Sequence, residues 1–379
     1  MRRLFIGGGL ILLLVLVFFG SRYFLSNRAS SDQFSVTDDA DFYVVYTDSI
    51  NSYQLDGGSI SEMSSSQLPV AEFVNTWFSK GEFAGRYLVF SEDELKGESH
   101  KPAIVSIDFE KGSVKKTPTS YFAYTGAGTS DQYFYTFQAT TEDGGLHAFD
   151  QQGKHVDSYV FDESTTPASQ FAGRDGRLYL SATQETSDGM HYEHKLFTFE
   201  EKAGQLTQVD ELLLDDDSEW LYGFTSNELI DQKLFLPVTA RRNRATYESI
   251  PDNRVLVLDL ISKEKNFIEL PESYPNLIFK SKNLEHLMVV HESSMLGKVG
   301  LSVVNTTSQE SYFLDIGQAL HVNELDTIDI VSVNTTKDNK LLVLAGDTLL
   351  AYDLDSGQLL STLEVGSNDE SSGIYIWAN

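Results

Sequence analysis

Three stretches of the chain carry residue types that could do chemistry. His191-Tyr192-Glu193-His194 sets two imidazoles three positions apart. Imidazole pairs hold zinc best at i and i+4, where one helical turn brings them to a common face. The spacing here fits two solvated histidines on a loop or strand edge, and no metal is expected. Asp215-Asp216-Asp217-Ser218-Glu219 concentrates oxygens that suit calcium, but it lacks the D-x-D-x-D-G spacing and the glycine turn that let a loop wrap the ion. It reads as an acidic turn. Arg241, Arg242 and Arg244, with Tyr247 beside them, form the densest basic cluster of the chain. No serine stands in a G-x-S-x-G context and there is no cysteine, so neither a nucleophile elbow nor thiol chemistry is available. No cofactor is expected.

These residues must be positioned by strands. From Leu341 to Gly366, "LLVLAGDTLLAYDLDSGQLLSTLEVG" reads as three apolar runs of strand length separated by turns rich in Gly and Asp. Its middle run, closing on an acidic residue before a polar turn, recurs upstream. The closing residues are Asp56, Asp108, Asp150, Glu200, Asp259, Asn305 and Asp353, between 42 and 59 residues apart. A period of about 50 residues built from strand units marks a β-propeller. Each period divides into four antiparallel strands, an inner strand first and three more outward. The first period lacks its inner strand, and the C-terminal "GIYIWAN", Gly373 to Asn379, has the length and alternation to supply it. The expected fold is therefore all-β: a seven-bladed β-propeller over residues 41–379, closed by the strand 373–379, with no open edge around the circle.

In such blades the second-to-third and fourth-to-first connections share one face. Third-to-fourth turns are tight, as in "DQQG" and "DSG", whereas the second-to-third connections "EDELKGESHK", "TQETSDGMHYEH" and "VTARRNRATYESIPD" are long. Elaboration on one face of a rigid scaffold is where binding is expected. The candidate contact residues are Arg241, Arg242, Arg244, Tyr247, His191 and Tyr192. Two readings of the arginines stand open: they face a partner, or they pair with Asp215, Asp216, Asp217 and Glu219 on the same face.

The segment "AYDLDSGQLLSTLEVG" resembles a repeat of the quinoprotein-like and YVTN-type bacterial propellers, with Ala351, Asp353, Gly357 and Gln358 at the positions of A-x-D-x-x-[ST]-G-[KQ]. The other copies keep the architecture and lose the motif. Quinoprotein dehydrogenases of this group carry a docking Trp at the end of each repeat; here that place holds Leu or another residue, and the chain has three Trp in all. The resemblance therefore implies a member closer to the non-catalytic, protein-binding propellers. A hydrolase or lyase with a lactonase-like site at the channel is the alternative.

The N-terminus points to a membrane. Arg2 and Arg3 precede seventeen uncharged residues, Leu4 to Gly20. As a helix these span about 26 Å at roughly 1.5 Å per residue, close to a hydrocarbon core of about 30 Å. A cleaved signal would need small residues after the run, and "SRYFLSNRASS" offers only Asn27-Arg28-Ala29, so residues 1–25 are read as an uncleaved, single-pass signal anchor. Residues 26–40 read as a short polar tether. The arginines before the run place the propeller on the extracytoplasmic side, and the absence of cysteine suits a bacterial envelope of the Gram-positive type.

Charge bears on partners. The chain has 28 basic and 56 acidic residues; residues 1–25 hold three of the basics and none of the acids, so the remainder carries 25 against 56, a net −31. Nucleic acid is excluded as a partner. The expectation is a membrane-anchored, non-catalytic binding or scaffold module that meets another envelope or membrane protein.

Overall fold

The computed structural model describes residues 31–37, 39–46, 49–68, 82–83, 86–96, 99–121, 124–139, 144–161, 165–185, 192–215, 219–321, 328–365 and 373–378. The fold is all-β: the two helices among the described residues, Ser293–Leu296 and Ile316–Ala319, have four residues each. Residues 1–30, on which the expected anchor falls, lie outside the described residues. Within the described ones no helix is long and apolar enough to cross a membrane.

Most strands are buried on both faces. Along Phe42–Tyr46 every residue is buried, with Tyr43 and Val45 in one apolar cluster and Phe42, Val44 and Tyr46 in another. Alternation still sorts the side chains, but it sorts them between two neighbouring sheets rather than between core and water.

Three sheets are four-stranded antiparallel meanders. One runs Gly373–Ala378, Phe42–Tyr46, Ser49–Asp56, Ser59–Gln67; the others cover Pro275 to Asp315 and Ile330 to Glu364. A fourth orders Trp220–Phe224, Lys233–Asn243, Ser249–Asp259 and Lys265–Glu269. A nine-stranded sheet consists of two such meanders and the short strand Thr165–Pro167, which pairs with Arg177–Glu185; the meanders join where Tyr124–Thr129 and Gln170–Arg174 run parallel. That contact needs glycine: a Cβ on Gly128 would lie 1.9 Å from the Phe171 carbonyl oxygen.

The chain's two ends meet in one sheet, where Tyr43 pairs with Trp377 and Val44 with Ile376. That sheet packs on one side against Phe90 and Val105 and on the other against Leu342 and Leu349. Further clusters join Val89 and Ile104 to Phe134 and Phe149, and Met288 and Leu301 to Val343 and Leu350. Each sheet is thus stacked between the preceding one and the next.

The recurring acid or Asn has a local cause. Asp108 Oδ1 accepts the amides of Glu110 and Lys111, Asp150 Oδ1 those of Gln152 and Lys154, Asp259 Oδ1 those of Ile261 and Ser262, and Asn305 Oδ1 those of Thr307 and Ser308. These are Asx turns, which close the hairpin from strand three to strand four. Asp353 does the same for Ser356 and also binds Lys340 Nζ at 2.9 Å; the lysine first, then Ser356, holds its carboxyl down at about 2. Asp108, Asp150, Asp259, Asn305 and Asp353 thus each hold a turn.

Two expectations change. Where they lie among the described residues, the three long connections continue the flanking strands: Lys233–Asn243 pairs with Ser249–Asp259, Tyr87–Lys96 with Ser99–Asp108, and Arg177–Glu185 with Tyr192–Lys202. Backbone amides that would otherwise need water are satisfied across each hairpin. The segment 26–40 is not a free tether throughout, because Ser31–Gln33 adds to the outer edge of Ser113–Pro118 and Phe34 is buried against Tyr43 and Phe109.

Candidate functional site: the hairpin face and the two mouths of the central cavity

Arg241 and Arg242 lie in the strand Lys233–Asn243, and Arg244 opens the turn that follows. Arg241 lies over the Trp220 ring at 4.8 Å, with its Nε 3.8 Å from Asp252. Asp252 is held mainly by Arg254, at 2.6 Å. Arg242 donates to the Tyr247 carbonyl at 3.1 Å and lies 5.6 Å from that ring. Arg244 donates from Nη2 to the Asp215 carbonyl oxygen, and its amide bonds the Glu219 carbonyl.

Of the acidic run, Asp215 and Glu219 lie among the described residues. The arginine reaches the run's backbone, while the Asp215 carboxylate is buried and accepts His194 Nδ1 at 2.9 Å and the amides of His194 and Tyr222. Asp216, Asp217 and His191 lie outside the described residues. Tyr192 begins the strand Tyr192–Lys202 and is 49% exposed, as is Tyr247. Arg242 is exposed as well, and among the described residues it has no carboxylate partner.

The inner strands enclose a cavity with two mouths that share Phe279, Ser332 and Tyr375. At the face of the first-to-second turns it measures about 340 Å³, and both of its lysines meet carboxylates. Lys280 Nζ meets Glu228 Oε1 at 2.9 Å, Lys282 Nζ lies 3.6 Å from Glu82 Oε1, and Asn334 Nδ2 donates to Glu82 Oε2 at 3.0 Å.

The opposite mouth, of about 210 Å³, lies on the hairpin face and is lined by Glu292 and Asp329 with no Lys or Arg among the described residues. Glu292 follows the strand His286–His291, where the chain turns into the helix Ser293–Leu296. Asn276 Nδ2 donates to Glu292 Oε2 at 3.0 Å. Burial, and then the neighbouring Glu292, push the Asp329 carboxyl above its ordinary value. His291, buried beside them, has its imidazole pushed down by burial, with Nδ1 at the Ser273 carbonyl and Nε2 at Ser302 Oγ. None of these residues was singled out by sequence motifs. Gln170, Asn276, Glu292 and Asp329 come from separate inner strands and connections, so no local spacing joins them. No group of three His, Cys, Asp or Glu placed to hold a metal occurs among the described residues.

No protein-family model matches the chain, and no curated protein is detectably similar to it. Solved structures are similar in fold. A candidate 6-phosphogluconolactonase from Bacteroides uniformis superposes with a TM-score of 0.51 at 12% identity, covering 88% of this chain and 97% of that one. AztD from Citrobacter koseri gives 0.49 at 12% identity over 88% and 96% of the two chains. The dihydro-heme d1 dehydrogenase NirN gives 0.48 at 12% identity over 91% and 80%. What the likeness shows is the architecture: this chain has an all-β, β-propeller-like fold.

Proposed function

We propose that the chain is a seven-bladed β-propeller closed by its C-terminal strand, tethered on the extracytoplasmic side of a bacterial membrane, and that it serves as a non-catalytic binding module for another envelope or membrane protein. The observation that carries this reading is the hairpin face. A strand paired on both sides and the turn after it present Arg242 with Tyr247 to solvent, and Tyr192 stands exposed at the start of its strand; Arg and Tyr are among the residue types enriched in binding hot spots. A positive group standing out from a chain of net charge −28 selects a partner with an acidic or aromatic contact patch.

The test must leave the sheet intact. Excising residues 240–247 would strip Trp220–Phe224 of its partners Ala240 to Asn243, so point changes are required. A photocrosslinker at Tyr247 in cells is expected to give one discrete adduct with an envelope protein. Arg242→Ala with Tyr247→Ala is expected to weaken the complex at least tenfold while shifting stability by about 0.5 kcal/mol or less, as exposed substitutions do. Undiminished binding by this folded variant would move the contact off the hairpin.

Anchoring is tested separately. With the span at 4–20 and the first strand at Ser31–Gln33, ten residues intervene, a reach of about 35 Å at most. The mature protein is expected to retain Arg2 and Arg3 and to stay with membranes through carbonate washing. A soluble form beginning near Ser30 would refute the anchor.

Hydrolase or lyase chemistry at the cavity is the second reading. Asp329 favours it, since a carboxyl raised by burial and a like charge can act as a general acid. Against a lactonase-like role stands charge. A phosphorylated sugar lactone would meet Glu292 and Asp329 in a mouth without a lining cation among the described residues. Turnover of 6-phosphogluconolactone that disappears in Asp329→Asn would replace the binding reading.

A further inference from the structure

The mouth at the hairpin face differs from its opposite in having no Lys or Arg in its lining among the described residues. One end of the cavity pairs two lysines with carboxylates; this end has two carboxylates and no such lysine. Gln170 is 2% exposed, lines the cavity, and its Oε1 has no hydrogen-bond partner among the described residues. The Tyr375 hydroxyl, on a side chain 6% exposed that lines the same space, has none either. A buried acceptor without a donor is costly, typically about 1–3 kcal/mol, and marks a place where a partner is missing. Beside these acceptors the walls are apolar, formed by Leu277, Phe279, Val290, Val299 and Ile330.

We propose that this mouth binds a small organic ammonium ion, its charged head between Glu292 and Asp329 within reach of Gln170, and its hydrocarbon body against Phe279 and Val290. The chemistry follows from the lining. An alkylammonium brings N–H donors to the unpartnered Gln170 Oε1, offsets one of the two negative charges of Glu292 and Asp329, and gains from aromatic faces nearby. Its tail uses walls that a hydrated metal ion would leave unused. A calcium ion wants six to eight oxygen ligands, which the apolar wall does not supply. A volume of about 210 Å³ restricts the ligand to a few heavy atoms. The site stands independently of the hairpin contact.

Calorimetric titration of the full chain with n-butylammonium chloride tests this, with 1-butanol as the neutral isostere and calcium chloride as the metal probe. The expected result is saturable binding of n-butylammonium, no measurable binding of 1-butanol, and affinity at least tenfold weaker in Asp329→Asn and in Glu292→Gln. Both substitutions keep the side-chain shape and remove a charge from a repelling pair, and a thermal melt checks that each folds. Equal affinity for 1-butanol would overturn the proposal on the unaltered protein alone. So would equal affinity in folded variants, or saturable calcium binding without amine binding.

Discussion

A chain ending at Ser372 is expected to lose its cooperative unfolding transition. The strand Gly373–Ala378 is an inner strand, hydrogen-bonded to Phe42–Tyr46, and Tyr375, Ile376, Trp377 and Ala378 are all buried. Trp377 stacks on Phe109 at 4.1 Å and 7°, and Tyr375 packs on Phe90 at 5.3 Å. Asn334 Nδ2 and Lys282 Nζ donate to its carbonyls, and Ser332 Oγ accepts from the Ile376 amide. Each large side chain contributes about 1.5–3 kcal/mol by burial, against a total stability of about 5–15 kcal/mol for a typical domain. Removal also leaves Phe42–Tyr46 as an open edge, which favours aggregation. Circular dichroism should show a broad, non-cooperative melt or precipitation. The milder Trp377→Ala, which hollows the same cluster, should cost about 3–5 kcal/mol. A truncated chain that melts at the full-length midpoint would show that the terminal strand is not needed for the fold.

Asp215→Ala should have the second-largest effect. The carboxylate is fully buried and serves three donors: His194 Nδ1, and the amides of His194 and Tyr222. These donors belong to the strands Tyr192–Lys202 and Trp220–Phe224, so one side chain ties two meanders together. Alanine leaves the Tyr222 amide buried, and the amide and imidazole of His194 half-buried, without their acceptor. Removing one partner from such a set costs about 3–5 kcal/mol. Asp215→Asn, which keeps one acceptor oxygen, should cost less. Urea denaturation measures both, and a loss under about 1 kcal/mol for the alanine variant would mean that water replaces the carboxylate. The Arg244 guanidinium, which bonds the Asp215 carbonyl, should move with it, coupling this buried group to the hairpin face.

The strand plan was legible because it is written in local patterns. Third strands end on Asp56, Asp108, Asp150, Asp259, Asn305 and Asp353, the residues that the repeat picks out. Only Glu200 lies inside its strand, Tyr192–Lys202, where Glu201 takes over and accepts the Gly204 amide. An Asx turn needs a carbonyl-bearing side chain at one position, and that requirement survives when the rest of a repeat drifts. The all-β organisation follows from the same alternation.

Tertiary structure decided everything that depends on a neighbour distant in sequence. "VTARRNRATYESIPD" becomes a hairpin because Trp220–Phe224 lies alongside and pairs with it, and the same contact takes Arg241 onto the Trp220 ring. Asp215 was read as one acid of an acidic turn, yet burial makes it the acceptor that holds two strands. The carboxylates of the cavity mouth carry no motif at all. Glu292 and Asp329 act on each other only because the end of the second strand His286–His291 and the start of the inner strand Ile330–Thr335 meet at one cavity. A sequence states which side chains alternate and where a turn must close, since those are properties of neighbours along the chain; which charges share a cavity is set by the convergence of strands dozens of residues apart.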